Sequence, residues 1–221
     1  MNHLLEVEDL ELQLDCFRVL KGVNLRAERD EIVALLGENG AGKTMTLRSI
    51  VGLEKIDRGT VKFKGEEIQK LPAHSRVKLG LSYCPSEENV FPRMSVRENL
   101  EMGKYLFPDE VEEGLDRALQ LFPDLAGFLD RLATELSGGE KRMLALGKSL
   151  MTEPELLLLD EFSLGLSQEV ALEFSAKVKE VNRTGISVLF VEQNRALAAD
   201  LAGREYRMVE GRITEGFGTG S

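Results

Sequence analysis

Basic residues are scarce relative to acidic ones. The chain of 221 residues has 28 Lys and Arg against 38 Asp and Glu, a formal net charge of −10. Such a surface repels phosphate backbones outside local basic patches, which argues against broad nucleic-acid binding. Cysteine and histidine are also sparse. Cys16 and Cys84 lie far apart, the two histidines are His3 and His74, and no CxxC or Cys/His cluster occurs. Zinc ligation and Cys/His catalysis therefore have no ligand or partner set, and both cysteines read as small core residues of a reduced, cytoplasmic protein. Long apolar runs are missing: residues 33–36 and 156–159 are the longest candidates, far short of the roughly 18–20 that span a bilayer. An integral membrane protein is thus not expected, and the first six residues lack the pattern of a secretory leader. Repeats, low-complexity linkers and Pro- or Ser-rich tracts are absent as well. Glycine is the exception, at 21 of 221 residues where about 7% is average.

The length suits one large domain or two small ones. Residues 4–14 and 19–26 read as strands, and residues 32–36 as a short continuous apolar strand buried on both faces. Leu47, Ile50 and Val51 have helical spacing that ends near Gly52, and residues 60–64 form a further strand closed by Gly65. From about residue 95 to 151 the pattern turns helical. Val111, Leu115, Ala118, Leu119 and Phe122 make one apolar stripe, and Met143, Leu146, Gly147 and Leu150 another, with Pro108 and Pro123 between helices. Strands return at 155–159 and 186–191, flanking a helix with Val170, Phe174, Val178 and Val181 on one face and Ser167 as N-cap. Strand–helix–strand alternation at both ends predicts an α/β sheet with an inserted helical subdomain.

Three motifs carry chemistry. Residues 37–44, GENGAGKT, match G-x-x-x-x-G-K-[ST] at every fixed position between a buried strand and a helix. Gly37, Gly40 and Gly42 let backbone N–H groups turn around phosphates, with Glu38, Asn39, Ala41 and Met45 in the same stretch. Lys43 adds a point charge, the Thr44 hydroxyl can hold Mg²⁺, and the following helix aims its N-terminus at the anion. A chance match in a chain of this length is on the order of one in a hundred. The run LLLLDE at 156–161 is an apolar strand ending in two carboxylates. In a P-loop protein a strand beside the phosphate loop carries the Asp that helps hold Mg²⁺, which suits Asp160, while Glu161 is placed to polarise the attacking water. Seen alone, such a strand end is an ordinary solvated terminus. The third motif is LSGGE at 136–140, with Ser137 as the N-cap of a helix reaching about Thr152 and Gly138 and Gly139 leaving N–H groups free.

With these motifs in this order, the chain resembles the ATP-binding-cassette (ABC) transporter ATPases over nearly its whole length. Six of the glycines (37, 40, 42, 138, 139 and 165) lie in the motifs or just after them. Residues 32–44 (IVALLGENGAGKT), 136–140 with Met143-Leu144-Ala145, LLLLDE, Ser163-Leu164-Gly165-Leu166, Val191-Glu192-Gln193-Asn194 and the segment around 90–100 look like the ATPase subunits of branched-chain amino-acid importers. Urea and amide importers share much of this pattern.

The resemblance implies a P-loop NTPase fold of the ABC type, with an N-terminal antiparallel β subdomain and an inserted helical subdomain. Residues 1–85 and 152–215 would form the ATP-binding core, about 86–151 the helical part, and 216–221 a flexible tail. It implies ATP and Mg²⁺ as cofactors and a head-to-tail dimer with a second cassette, identical or related, in which Lys43 and Thr44 of one subunit face Ser137, Gly138 and Gly139 of the other. Transmembrane permease subunits would be direct partners and a solute-binding protein an indirect one, on the inner face of the membrane. Catalysis would rest on Lys43, Glu161 and Gln193, with Thr44 and Asp160 at the metal. Departures from the wider family are Ser86 with Glu87 where a glutamine follows Tyr-x-Pro, Gln193 in place of a switch histidine, Phe162 in place of a proline, and Asp30 at a turn position where glycine is common. Phe17 is the candidate for stacking on adenine, with core packing the equal alternative. The departures motivate a second reading, a degenerate cassette that binds ATP and dimerises as a regulatory module. A soluble cassette acting on DNA or ribosomes fits less well, given one cassette, no coiled-coil insertion and the charge of −10.

Overall fold

The structure is a computed structural model that describes residues 3–86 and 89–218. Two sheets organise it. The first is antiparallel and built from β1 (Leu5–Leu14), β2 (Phe17–Ala27), β4 (Arg58–Phe63) and the short β5 (Glu66–Glu67), in the order β2-β1-β4-β5. The second has six strands: β3 (Ile32–Leu36), β6 (Leu81–Cys84), β7 (Leu156–Asp160), β8 (Ser187–Glu192), β9 (Arg204–Val209) and β10 (Arg212–Gly218). Their order is β10-β9-β3-β8-β7-β6, parallel except where β10 turns back on β9.

The helices are α1 (Lys43–Val51), α2 (Ala73–Lys78), α3 (Val96–Glu101), α4 (Val111–Leu121), α5 (Gly138–Leu150), α6 (Gln168–Arg183) and α7 (Arg195–Leu201), with short 3₁₀ segments among them. The chain leaves the second sheet at Cys84, builds α3, α4 and α5, and re-enters at Leu156 beside the strand it left.

Alternation along the strands divides the interior. Ile32, Ala34, Leu36, Leu157, Leu159, Val188 and Phe190 face one core with the helical segment, α6 and α7. Val33, Leu35, Leu156, Leu158, Leu189 and Val191 face another with α1 and the antiparallel sheet. Burial on both faces explains why β3, β7 and β8 read as uninterrupted apolar runs.

The end of Asp160's strand lies beside the phosphate loop, with Thr44 Oγ1 3.0 Å from Asp160 Oδ1, although β8 separates β3 from β7 within the sheet. Several other expectations are corrected. Cys16 is exposed rather than a core residue, because it sits in the β1–β2 turn, whereas Cys84 is buried. Phe17 is 77% exposed, which removes the core-packing alternative. Gly216 to Gly218 continue β10 by pairing with β9 instead of starting a tail, while residues 219–221 lie outside the described residues. β6, α2, α7 and the β9–β10 hairpin had no reading from sequence. The helical stretch is broken into three short helices and 3₁₀ turns.

Two departures have local explanations. Asp30 adopts φ 59°, the left-handed conformation that favours glycine and that Asp tolerates, and its N–H donates to Ser187 Oγ at 2.8 Å. Phe162 is 1% exposed and stacks on Phe174 with centroids 5.0 Å apart, with its ring edge-on to Phe190 at 5.7 Å. Its ring completes the core beneath the carboxylates.

Candidate functional site

The carboxyl ends of β3, β7 and β8 meet at one edge of the parallel sheet, where open α/β sheets present their binding crevice. The phosphate loop leaves β3 there. Gly37 donates to Glu192 O of β8 at 3.3 Å, which anchors the loop's start. Gly37 admits no side chain, since a Cβ would lie 2.6 Å from Met208 O. Gly42, at φ 107°, is pressed against Leu20 and Met208 and starts α1 in a conformation that L side chains rarely adopt.

Helix α1 starts without a side-chain cap and without an acidic residue in its first turn. By contrast, Ser95, Ser137, Ser167 and Asn194 cap α3, α5, α6 and α7. The first intrahelical bond runs from Thr46 N to Gly42 O at 2.9 Å. The N–H groups of Lys43, Thr44 and Met45 therefore precede the helical ladder and carry the positive end of the helix dipole. The Met45 side chain packs on the core, so its contribution is its backbone.

Lys43 is 3% exposed. Its Nζ donates to Gly37 O at 2.9 Å and Glu38 O at 3.0 Å, and stands 3.0 Å from Glu161 Oε1. Glu161 follows β7 at φ 36°, a left-handed position, with its N–H bonded to Val191 O at 3.0 Å. Such a backbone is uncommon for Glu and persists where the surroundings hold it. Thr44 Oγ1 donates to Asp160 Oδ1 at 3.0 Å. Asp160 is 2% exposed, and burial raises its carboxyl above the usual range, while hydrogen bonds from Thr44 and Tyr83 oppose the shift. Gln193, just past β8, donates from Nε2 to Asn39 Oδ1 at 2.6 Å and reaches Glu161 Oε1 at 3.5 Å.

Lys43, Thr44, Asp160, Glu161, Gln193 and Asn39 thus form one cluster drawn from three strand ends. Gly37, Glu38, Asn39, Gly40, Ala41 and Gln193 line a cavity of about 510 Å³ that continues along Arg195 and Arg207. Among the described residues no three His, Cys, Asp or Glu side chains converge. A cation here needs the Thr44 hydroxyl and oxygens from a ligand besides Asp160.

Ser137, Gly138 and Gly139 stand apart from this cluster. Ser137 forms a capping box with Glu140: its Oγ accepts from Glu140 N at 3.3 Å and its N–H donates to Glu140 Oε2 at 2.7 Å. Ser137 and Gly139 border a separate cavity of about 300 Å³ with Phe122, Phe128, Met143 and Val170. Ser86 O accepts from Arg142 Nη1, and Glu87 lies outside the described residues. The exposed Phe17 is the first residue of β2, just after the β1–β2 turn, on the antiparallel sheet.

Two residues of the site had no assigned role in the sequence. Glu192, 3% exposed, accepts from Ser163 N at 2.9 Å and Gln193 N at 3.2 Å, tying the chain after Glu161 to the end of β8. Tyr83 donates to Asp160 Oδ2 at 3.1 Å from the end of β6. A carboxylate ending a buried apolar strand is a readable signal for Glu192, whereas nothing local marks Tyr83.

A family model described as ABC transporter matches residues 20–163. The branched-chain amino acid transport ATP-binding protein BraG of Pseudomonas aeruginosa is 38% identical over 197 residues, 89% of this chain and 84% of that protein. The probable branched-chain amino acid transport ATP-binding protein LivF of Archaeoglobus fulgidus is likewise 38% identical over 197 residues, 88% of this chain and 84% of that protein. The lipopolysaccharide export system ATP-binding protein LptB of Haemophilus influenzae is 34% identical over 214 residues, 95% of this chain and 88% of that protein. Among solved structures, the ADP conformation of the ATP-binding cassette MJ1267 superposes with a TM-score of 0.89 at 24% identity, over 99% of this chain and 92% of that one. An ATP-binding subunit of an ABC transporter superposes at 0.83 with 27% identity, over 97% and 90%.

Proposed function

This chain belongs to the ABC transporter family as an ATP-binding, ATP-hydrolysing cassette, and on that premise we propose that it energises an importer of branched-chain or other hydrophobic amino acids. The observation that carries the catalytic part is the convergence of Lys43, Thr44, Asp160, Glu161 and Gln193 at one sheet edge. The phosphates lie in the loop, against the first N–H groups of α1 and Lys43. Glu161 orients the attacking water, and the Gln193 amide, which cannot carry a proton, bonds to phosphate. The exposed Phe17 supports the adenine.

Thr44 and Asp160 fit a magnesium ion: both offer hard oxygens, 3.0 Å apart, beside the phosphate loop. When bound, the cation neutralises charge on the phosphate oxygens.

Ser137, Gly138 and Gly139 serve the partner cassette's nucleotide. Ser137 and Gly138 are exposed, and Ser137's own hydrogen bonds run to Glu140 rather than to the phosphate loop of its chain. The partners are a second cassette and transmembrane permease subunits, with a solute-binding protein acting through those subunits. No helix among the described residues is long and apolar enough to cross a membrane, so attachment to the inner membrane face runs through the permease.

Co-expression of the full chain with its membrane subunits, reconstitution, and measurement of leucine uptake and Mg²⁺-dependent ATP hydrolysis test this reading. Uptake that requires ATP is expected. Coupling to a lipopolysaccharide-exporting complex, or nucleotide binding without hydrolysis in the assembled complex, would overturn it.

A further inference from the structure

Asp160 has two hydrogen-bond partners among the described side chains. The hydroxyl of Thr44 donates to Oδ1 at 3.0 Å and the phenol of Tyr83 to Oδ2 at 3.1 Å. Thr44 also serves the cation in the proposed function, and a role for Tyr83 rests on that reading. Tyr83 is not itself a cation ligand, and it comes from a different strand. We propose that Tyr83 is a positioning residue: its phenol fixes the plane of the Asp160 carboxylate so that Oδ1 is presented to the magnesium ion and Thr44.

The placement supports orientation rather than incidental contact. Tyr83 lies on β6 opposite Leu158 of β7, two residues before the carboxylate it holds. Its ring packs against the core shared by α1 and the antiparallel sheet, so the phenol approaches from a fixed direction. Asp160, at 2% exposure, has little water to orient it otherwise.

The same strand leads at once into Pro85 and Ser86, and the Ser86 carbonyl is held by Arg142 of α5. Tyr83 therefore joins the metal end of the site to the place where the chain enters the helical segment.

The test is Tyr83→Phe in the full chain, which removes one oxygen and no packing volume. The probe is Mn²⁺ in place of Mg²⁺, titrated by electron paramagnetic resonance with ADP at saturation. Removing a hydrogen bond to a charged metal ligand predicts Mn²⁺ affinity roughly ten- to a hundredfold weaker, with ADP affinity in metal-free buffer unchanged within about twofold. Unchanged Mn²⁺ affinity in a variant with wild-type circular dichroism overturns the inference. Equal losses of Mn²⁺ and metal-free ADP affinity overturn it too, because they mark a general structural role. If wild-type protein itself fails to bind Mn²⁺ with ADP, the failure lies with the functional reading instead.

Discussion

The ammonium of Lys43 and the carboxylate of Glu161 stand 3.0 Å apart, one in the first turn of α1 and the other just beyond β7. Two loop carbonyls complete the shell around Lys43 Nζ. The residue proposed to hold phosphate and the residue proposed to orient water are thus each other's electrostatic partners, and nucleotide must compete for the lysine. Lys43→Ala is expected to weaken ATP binding at least about tenfold, from the loss of charge-assisted hydrogen bonds. Glu161→Gln is expected to retain ATP binding while turnover falls roughly 10²- to 10⁴-fold. Equilibrium binding of a fluorescent ATP analogue and steady-state phosphate release separate the two effects; normal turnover in both variants would sink the assignment.

Gln193 joins Asn39 to Glu161 without a titratable proton. Turnover should show no inflection from this position between pH 6 and 7.5, whereas Gln193→His should introduce one near about 6.5. Gln193→Ala should lower turnover roughly ten- to a hundredfold by removing a positioned donor. A pH–rate series on the three proteins checks this, and identical profiles would remove Gln193 from the site.

Asp160 opposes stability with function. Its carboxyl is raised by burial first, with the Glu161 charge adding to the shift. Between the ordinary Asp value, about 3.9, and the raised one, the folded chain holds a proton that the unfolded chain has released, so stability falls as pH rises through that window. At neutral pH the buried charge is a cost. Asp160→Asn should therefore melt a few degrees higher at pH 7 without metal or nucleotide, lose that advantage below about pH 4, and lose Mg²⁺-dependent hydrolysis. Scanning calorimetry across pH measures it; equal melting temperatures at pH 7 would contradict the account.

Phe162 is a packing residue directly after two site carboxylates. Phe162→Ala should cost about 3–5 kcal/mol through transfer and cavity formation. Urea titration gives the loss, and the nucleotide affinity of the remaining folded protein should be unchanged. A small loss with weakened ATP binding would instead make the ring part of the site.

Arg76 is 3% exposed, with no carboxylate partner among the described residues. It donates to the carbonyls of Ser49 and Ile50 at the end of α1 and to those of Gln69 and Leu71. Arg76→Met removes the donor from the buried Ile50 carbonyl, at about 1–3 kcal/mol, and one of the two donors from Ser49 O, which keeps Gly52 N–H. A lowered urea midpoint is expected, together with faster amide exchange in the last turn of α1. Exchange rates there equal to wild type would show that the carbonyls find other donors.

Contiguous features were legible in the residues themselves. The phosphate loop, the Ser137 and Ser167 caps and the end of α1 at Gly52 each depend on a few neighbouring residues, and glycine spacing or a cap states them directly. The apolar runs at β3, β7 and β8 likewise announced strands, and the one at β3 a strand buried on both faces. α2, α7 and the β9–β10 hairpin were not legible, because short elements with mixed composition form by docking on existing strands.

The amino-acid sequence alone determined that nucleotide chemistry was present, since backbone donors, lysine, hydroxyl and carboxylates appear at spacings set by local geometry, and the motif order pointed to the family. Only the tertiary structure decided how those parts meet. Strand order placed β8 between β3 and β7 and brought Gln193 to Asn39 and Glu161. It also set Tyr83 against Asp160 and Phe162 against Phe174. The physical reason is range: a cap or loop is specified by adjacent residues, whereas a contact between strand ends exists only after two cores have packed on opposite faces of one sheet.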